Sequence, residues 1–222
     1  MKKVAFFHTT MNTPLPLKQA FESRYPGVQL ITVMDDGIVP EVTAHDNNIT
    51  PGIVRKLIAF AQENEKIGAA IAVCMCTTIT EAVVEAAKAV DIPFLTIDGP
   101  MLDAAVCAGQ RVALLITAKT TFRASSASIR RACLRQDREH IQTDTILVEG
   151  AFEALNVEKN KAKHDELIAK AAREAAKDHD VIVLAQVSMV DAAEALADLP
   201  QPVFTSLDSG LAQIGKYLEE HA

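Results

Sequence analysis

The sequence predicts an α/β protein built as two pseudo-symmetric three-layer lobes with mostly parallel sheets, on three observations. Short runs rich in Val, Ile and Leu alternate with segments of helical pattern, as parallel strands and their crossover helices do. The runs are apolar throughout, which suits strands covered on both faces. The chain also repeats itself: "VAFFHTT" from Val4 resembles "VALLITA" from Val112, "AVCMCTTITEA" from Ala72 resembles "IVLAQVSMVDA" from Ile182, and "PFLTID" from Pro93 resembles "PVFTSL" from Pro202. The three pairs keep one order and one separation of about 110 residues, so one α/β unit has been duplicated.

In order along the chain, strands are expected at 3–8 (KVAFFH), 28–34 (VQLITVM), 69–74 (AAIAVC), 93–97 (PFLTI), 111–117 (RVALLIT), 144–150 (DTILVEG), 180–186 (DVIVLAQ) and 202–206 (PVFTS). Helical patterns fall near 14–24, 51–65, 78–90, 99–108, 120–135, 160–178, 190–198 and 208–220. Thr50 before Pro51 reads as an N-cap with proline in the first helical position. The run "MDDGIVPEVTAHDNN" (34–48), with Asp35, Asp36, His45 and Asp46, reads as a surface loop able to cover a site. The duplication divides the chain into a first lobe, residues 1–98 with 207–222, carrying Cys76, and a second, residues 99–206, carrying Gln186.

Composition narrows the function. The 222 residues are 49% hydrophobic, ample for a sizeable core. With 22 Lys and Arg against 29 Asp and Glu the net charge is -7, and the basic residues are scattered, so nucleic acid is not an expected partner. No apolar run approaches the ~20 residues of a membrane span. "MKKVAFF" runs directly into a strand pattern, and a cytoplasmic location is expected. Four cysteines are too sparse for a disulfide framework.

Polar residues gather just past strand ends, at "HTT", "CTT", "TAKTT" and "QVS". Open α/β sheets bind ligands outside the carboxyl ends of their strands, so the active site is expected in the cleft between the lobes. Hydroxyls and free amides at helix starts suit an anion, most simply a carboxylate. Among the cysteines, Cys74 lies inside an apolar run and reads as a small buried hydrophobe. Cys76 precedes a helical pattern, where the helix dipole would lower its pKa and favour use as base or nucleophile. A metal needs three or four ligands, and neither the cysteines nor the histidines are spaced to supply them. His8, at the end of its strand, could act as a proton donor from its ordinary pKa of about 6.5.

These features are similar to those of the aspartate/glutamate racemase superfamily, which includes hydantoin racemases, maleate isomerases and arylmalonate decarboxylases. The resemblance is carried by the duplicated halves, by "CTT" after the third strand and by "DVIVLAQVSM" at the matching place in the second half. A racemase-like branch is the closer likeness, through "FFHTTMNTPLPLKQAFESRYPGVQLITVMDDG" and "GQRVALLITAKTTFRAS". The resemblance implies cofactor-independent chemistry at the carbon next to a carboxylate, with two cysteines flanking the substrate. Cys76 takes the first cysteine position. Gln186 stands at the second and cannot donate a proton near neutral pH, leaving one catalytic cysteine with His8 as a candidate second acid. The resemblance further implies that Thr9, Thr10, Thr77, Thr78, Thr117, Thr120, Thr121 and Ser188 supply hydrogen-bond donors to a small carboxylate, and that Gln186 holds a polar arm of it. No cofactor or metal is expected, and the superfamily pattern implies a homo-oligomer. The expected activity is racemase or isomerase; a single-cysteine decarboxylase and a non-catalytic carboxylate binder are the alternatives.

Overall fold

The computed structural model describes residues 1–11 and 13–220, in two compact units, Met1–Ile97 with Gly210–Ala222, and Asp98–Ser209. Residues 221 and 222, placed by the sequence in the first lobe, lie outside the described residues. In chain order the first unit holds β1 (Lys3–His8), α1 (Pro14–Arg24), β2 (Gln29–Met34), α2 (Ile38–Ala44), α3 (Pro51–Lys66), β3 (Ala69–Cys74), α4 (Thr80–Ala86) and β4 (Phe94–Thr96). The second holds α5 (Gly99–Ala108), β5 (Arg111–Ile116), α6 (Phe122–Arg135), β6 (Gln142–Leu147), α7 (Ala151–Asn156), α8 (Lys161–Ala175), β7 (Val181–Leu184) and β8 (Val203–Thr205). Helix α9 (Ser206–Glu220) then returns the chain to the first unit.

The two sheets have one topology. Strand order is β2-β1-β3-β4 in the first and β6-β5-β7-β8 in the second, with every pair parallel. Register carries the equivalence to single residues. Phe7 of β1 lies opposite Cys74 of β3, and Leu115 of β5 opposite Leu184 of β7. The chain then leaves each inner strand through the same bond, Met75 N–H to Phe7 O (2.9 Å) and Ala185 N–H to Leu115 O (3.0 Å). Cys76 and Gln186 therefore occupy equivalent positions, as do Thr9 and Thr117.

Alternation along the strands sends side chains to both faces and makes three layers of each unit. Ala5, Phe7, Ala72 and Cys74 pack on α2, α3 and α4. On the opposite face Phe6 meets Phe21 of α1 edge to face at 5.2 Å, and the Tyr25 hydroxyl donates to Leu211 O of α9 (2.7 Å). In the second unit Val112, Leu114 and Ile116 pack with α5 and α6, while Ala113 and Leu115 pack with α7 and α8. Both β1 and β5 are buried over nearly their whole length, which is why they read as unbroken apolar runs.

Among the departures from the expected elements, the first has a clear physical cause. The segment expected to be a covering loop contains α2, whose Ile38 and Val42 are buried in the core. Asp35 accepts from Gly37 N–H (3.0 Å) to start the turn, and Lys56 pairs with Asp35 at 2.8 Å and with Glu41. The Thr50 hydroxyl donates to Glu41 while its oxygen caps α3 by accepting from Ile53 N–H (3.2 Å). The aspartates and glycine thus mark only the entrance to a short helix fastened on both sides. The second departure is Val187–Leu196, expected to include an α-helix, which winds as a 3₁₀ helix.

Candidate active site

The first unit assembles its site at the carboxyl ends of β1 and β3. These strands are neighbours, so Thr9, one residue past β1, lies near Cys76, two past β3. Cys76 is in extended conformation (φ -128°, ψ 115°) and immediately precedes the 3₁₀ turn Thr77–Ile79, with α4 following. The turn brings the Thr78 hydroxyl and the backbone N–H groups of Thr78 and Ile79 to the sulfur, and the Thr9 hydroxyl approaches from β1. All four favour the thiolate.

Burial nevertheless dominates. Although Cys76 keeps part of its surface open, protein crowds its sulfur, and this desolvation pushes the thiol above its ordinary pKa despite the four donors. The acidified thiol expected from the helix start is thereby corrected. A three-residue 3₁₀ turn supplies few aligned dipoles, and they do not offset the lost water. The Thr9 hydroxyl is buried and makes no regular hydrogen bond, so it is free to turn toward sulfur or ligand. Cys74 is 1% exposed, with its Sγ 3.5 Å from Cys76 O, and fills the core as expected.

His8 sits beside this cluster but differs from its expected role. Its ring is buried, Nδ1 lies 3.2 Å from the Thr13 hydroxyl, and Nε2 has no hydrogen-bond partner. Burial lowers its pKa to about 4, so the ring is neutral near pH 7 and holds no ready acidic proton. Thr77 and Thr78 are buried; the Thr77 carbonyl accepts from the Thr80 hydroxyl (3.0 Å), which fixes the turn. Thr10 is exposed, its hydroxyl 3.4 Å from that of Thr13.

The second unit repeats the arrangement with different chemistry. Gln186 (φ -112°, ψ 145°) precedes the 3₁₀ helix Val187–Leu196 as Cys76 precedes its own turn. Its Oε1 accepts from both Thr117 N–H (2.6 Å) and the Thr117 hydroxyl (3.0 Å). The Thr121 hydroxyl donates to Ala118 O (2.7 Å) and shapes the turn, Thr120 and Ser188 are partly exposed, and Lys119 is exposed. The hydroxyl protons of Thr117 and Thr121 are thus engaged within the protein, which corrects their reading as donors to a ligand. The sequence does not announce the Thr117–Gln186 bond, although both residues follow the ends of strands that pair directly.

Among the described residues no group of three or more His, Cys, Asp or Glu side chains is placed to hold a metal ion. No described helix is long and apolar enough to cross a membrane.

Two parallel sheets of one topology, each with a small polar cluster at its strand ends, define a class of two-unit α/β proteins. The Asp/Glu/Hydantoin racemase family model matches residues 15–214, and the chain belongs to that family. Solved structures share the fold at low identity. Glutamate racemase from Francisella tularensis, in complex with D-glutamate, superposes with a TM-score of 0.74 at 15% identity, over 99% of this chain and 82% of that one. Allantoin racemase from Klebsiella pneumoniae gives 0.68 at 15%, over 100% and 89%. Unliganded arylmalonate decarboxylase gives 0.61 at 18%, over 100% and 95%. No curated protein matches the sequence.

Proposed function

We propose that this protein is a cofactor-independent, racemase-like enzyme acting at the carbon next to a carboxylate of a small acid, with Cys76 as its one catalytic thiol. The observation that carries this reading is the unequal occupancy of two equivalent positions. After β3 stands a thiol ringed by donors; after β7 stands an amide whose oxygen is held by Thr117. An amide neither takes nor gives a proton near neutral pH, and a neutral His8 does not replace it. Proton traffic at the substrate carbon therefore runs through one sulfur.

Two steps are open to that sulfur. As thiolate, favoured by Thr9, Thr78 and the Thr78 and Ile79 amides, it removes the proton next to the carboxylate; as thiol it returns one to the carbanion-like intermediate. The charge that develops on the carboxylate in either step is met by hydroxyls and amides at the strand ends of the first unit, of which Thr9 is the best placed, with Thr10 and Thr77 as further candidates. Removing one such donor typically costs about 3 to 4 kcal/mol of transition-state stabilisation. A second reading, decarboxylation followed by protonation on one face, is favoured by one observation: burial keeps the resting Cys76 protonated, the form that step requires.

The test is an NMR screen of amino acids, hydantoins and malonates in deuterated water, following loss of the proton next to the carboxylate and release of carbon dioxide. The wild type is expected to turn over at least one class, and Cys76→Ser to lose 10²-fold or more of that rate while still binding. Binding without turnover in both proteins would show a carboxylate-binding protein instead.

A further inference from the structure

The turn that follows Cys76 is closed twice by one residue. Thr77–Ile79 make a single 3₁₀ turn, and the Thr77 carbonyl accepts both the backbone N–H of Thr80 and, at 3.0 Å, the Thr80 hydroxyl. Both lone pairs of that oxygen are thereby engaged at the start of α4. Thr80 is 2% exposed, so water cannot take over the bond its hydroxyl makes.

This bond reaches the sulfur through a peptide plane. The peptide between Thr77 and Thr78 is trans, so its C=O and N–H point in opposite directions. A carbonyl held toward Thr80 leaves the Thr78 N–H facing back to Cys76, where it favours the thiolate without closing a regular hydrogen bond. Turning the plane over would present the Thr77 carbonyl oxygen to the sulfur instead, and its partial negative charge would oppose ionisation. A lone 3₁₀ hydrogen bond resists such a turn poorly, because its geometry is worse than that of an α-helical bond. The second unit offers a contrast. Four residues past Gln186, at the place of Thr80, stands Val190, which has no hydroxyl to give. The added closure thus accompanies the thiol and not the amide.

We infer that Thr80 is a positioning residue for Cys76: its hydroxyl holds the Thr77–Thr78 peptide so that the Thr78 N–H faces the sulfur. This rests on the reading that Cys76 is the reacting thiol. When the sulfur gives up its proton, the charge is met by an amide already in place, with no reorganisation required.

The test follows alkylation of Cys76 by iodoacetamide against pH, in the folded full-length protein carrying Cys107→Ser, with the modified residue located by mass spectrometry. Thr80→Val removes the hydroxyl and keeps the shape of the side chain. It should move the midpoint upward and slow alkylation at pH 7 by roughly three- to tenfold, the effect of partly losing one hydrogen bond to a charged group. Thr80→Ser, which keeps the hydroxyl, should restore the wild-type midpoint, whereas a residue that only supports the fold would lower the melting temperature without moving it. A measurement on the wild type is independent of how the variants fold: the Thr80 hydroxyl proton should be protected from exchange with water in the NMR spectrum. An unmoved midpoint in Thr80→Val, failure of Thr80→Ser to restore it, or rapid exchange of the hydroxyl proton would overturn the inference. Because the readout is thiol ionisation, it needs no substrate. A midpoint that shifts in a protein without turnover refutes only the catalytic reading, and Cys76-dependent turnover with an unmoved midpoint refutes only this inference.

Discussion

At the residue scale, Cys76 is governed by two opposed effects, and the larger is the loss of water. Alkylation by iodoacetamide, measured in a Cys107→Ser background to remove the exposed thiol, should therefore rise with pH through a midpoint above the ordinary cysteine value of about 8.5. Thr78→Val should move that midpoint higher still, because it removes a hydroxyl that favours the thiolate; a midpoint below the ordinary value would reverse the assignment. The direction was not legible in the sequence, where Cys76 stands at a helix start and nothing reports how closely other atoms will gather around its sulfur.

His8 makes the second prediction at this scale. Its pKa is about 4 in the folded chain against about 6.5 unfolded, so between those values the unfolded chain binds more protons. The contribution of a neutral His8 to stability is complete above about pH 6.5 and is lost as pH falls toward 4, by on the order of 3 kcal/mol. Denaturant melts of wild type and His8→Asn from pH 7 to 4 should show a shallower decline in the variant; parallel curves would place the ring in water.

At the scale of elements, all eight strands among the described residues were legible, because buried parallel strands need Val, Ile and Leu on both faces and turns between them. What escaped was short. Helix α2 is seven residues long and opens behind an Asp-Asp-Gly run, so turn chemistry masks the Ile38 and Val42 pair that anchors it. Helix α7, six residues after Gly150, is too brief for its periodicity to show. Close packing of elements was also hidden. At Gly210 in α9 a Cβ would lie 2.6 Å from the carbonyl oxygen of Ile97, which the backbone cannot yield. Gly210→Ala should cost about 1 to 3 kcal/mol and lower the melting temperature by roughly 2–4 °C for each of these; an unchanged melting temperature would mean that α9 shifts at no cost.

At the scale of the whole molecule, the duplication explains why so much of the candidate site could be found from sequence. Equivalent strand ends bring equivalent residues together, Thr9 with Cys76 and Thr117 with Gln186, and the spacing between repeats reveals which residues correspond. It does not reveal that one pair is joined by two hydrogen bonds through a single oxygen. Resemblance to the two-cysteine racemases leads to a gain-of-function prediction. Gln186→Cys places a second thiol at the equivalent position and should raise the rate at which an enantiopure substrate loses optical rotation by tenfold or more. No gain in a folded variant would mean that the second position no longer reaches the reacting carbon.

The central claim is that one sulfur handles every proton at the substrate carbon. Its most direct measurement is deuterium incorporation into an enantiopure acid of whichever class turns over, followed together with optical purity in wild type and Cys76→Ala. Deuterium should enter in the wild type with configuration kept, and incorporation should fall to background in the variant. Incorporation at the wild-type rate without the sulfur of residue 76 would contradict the account.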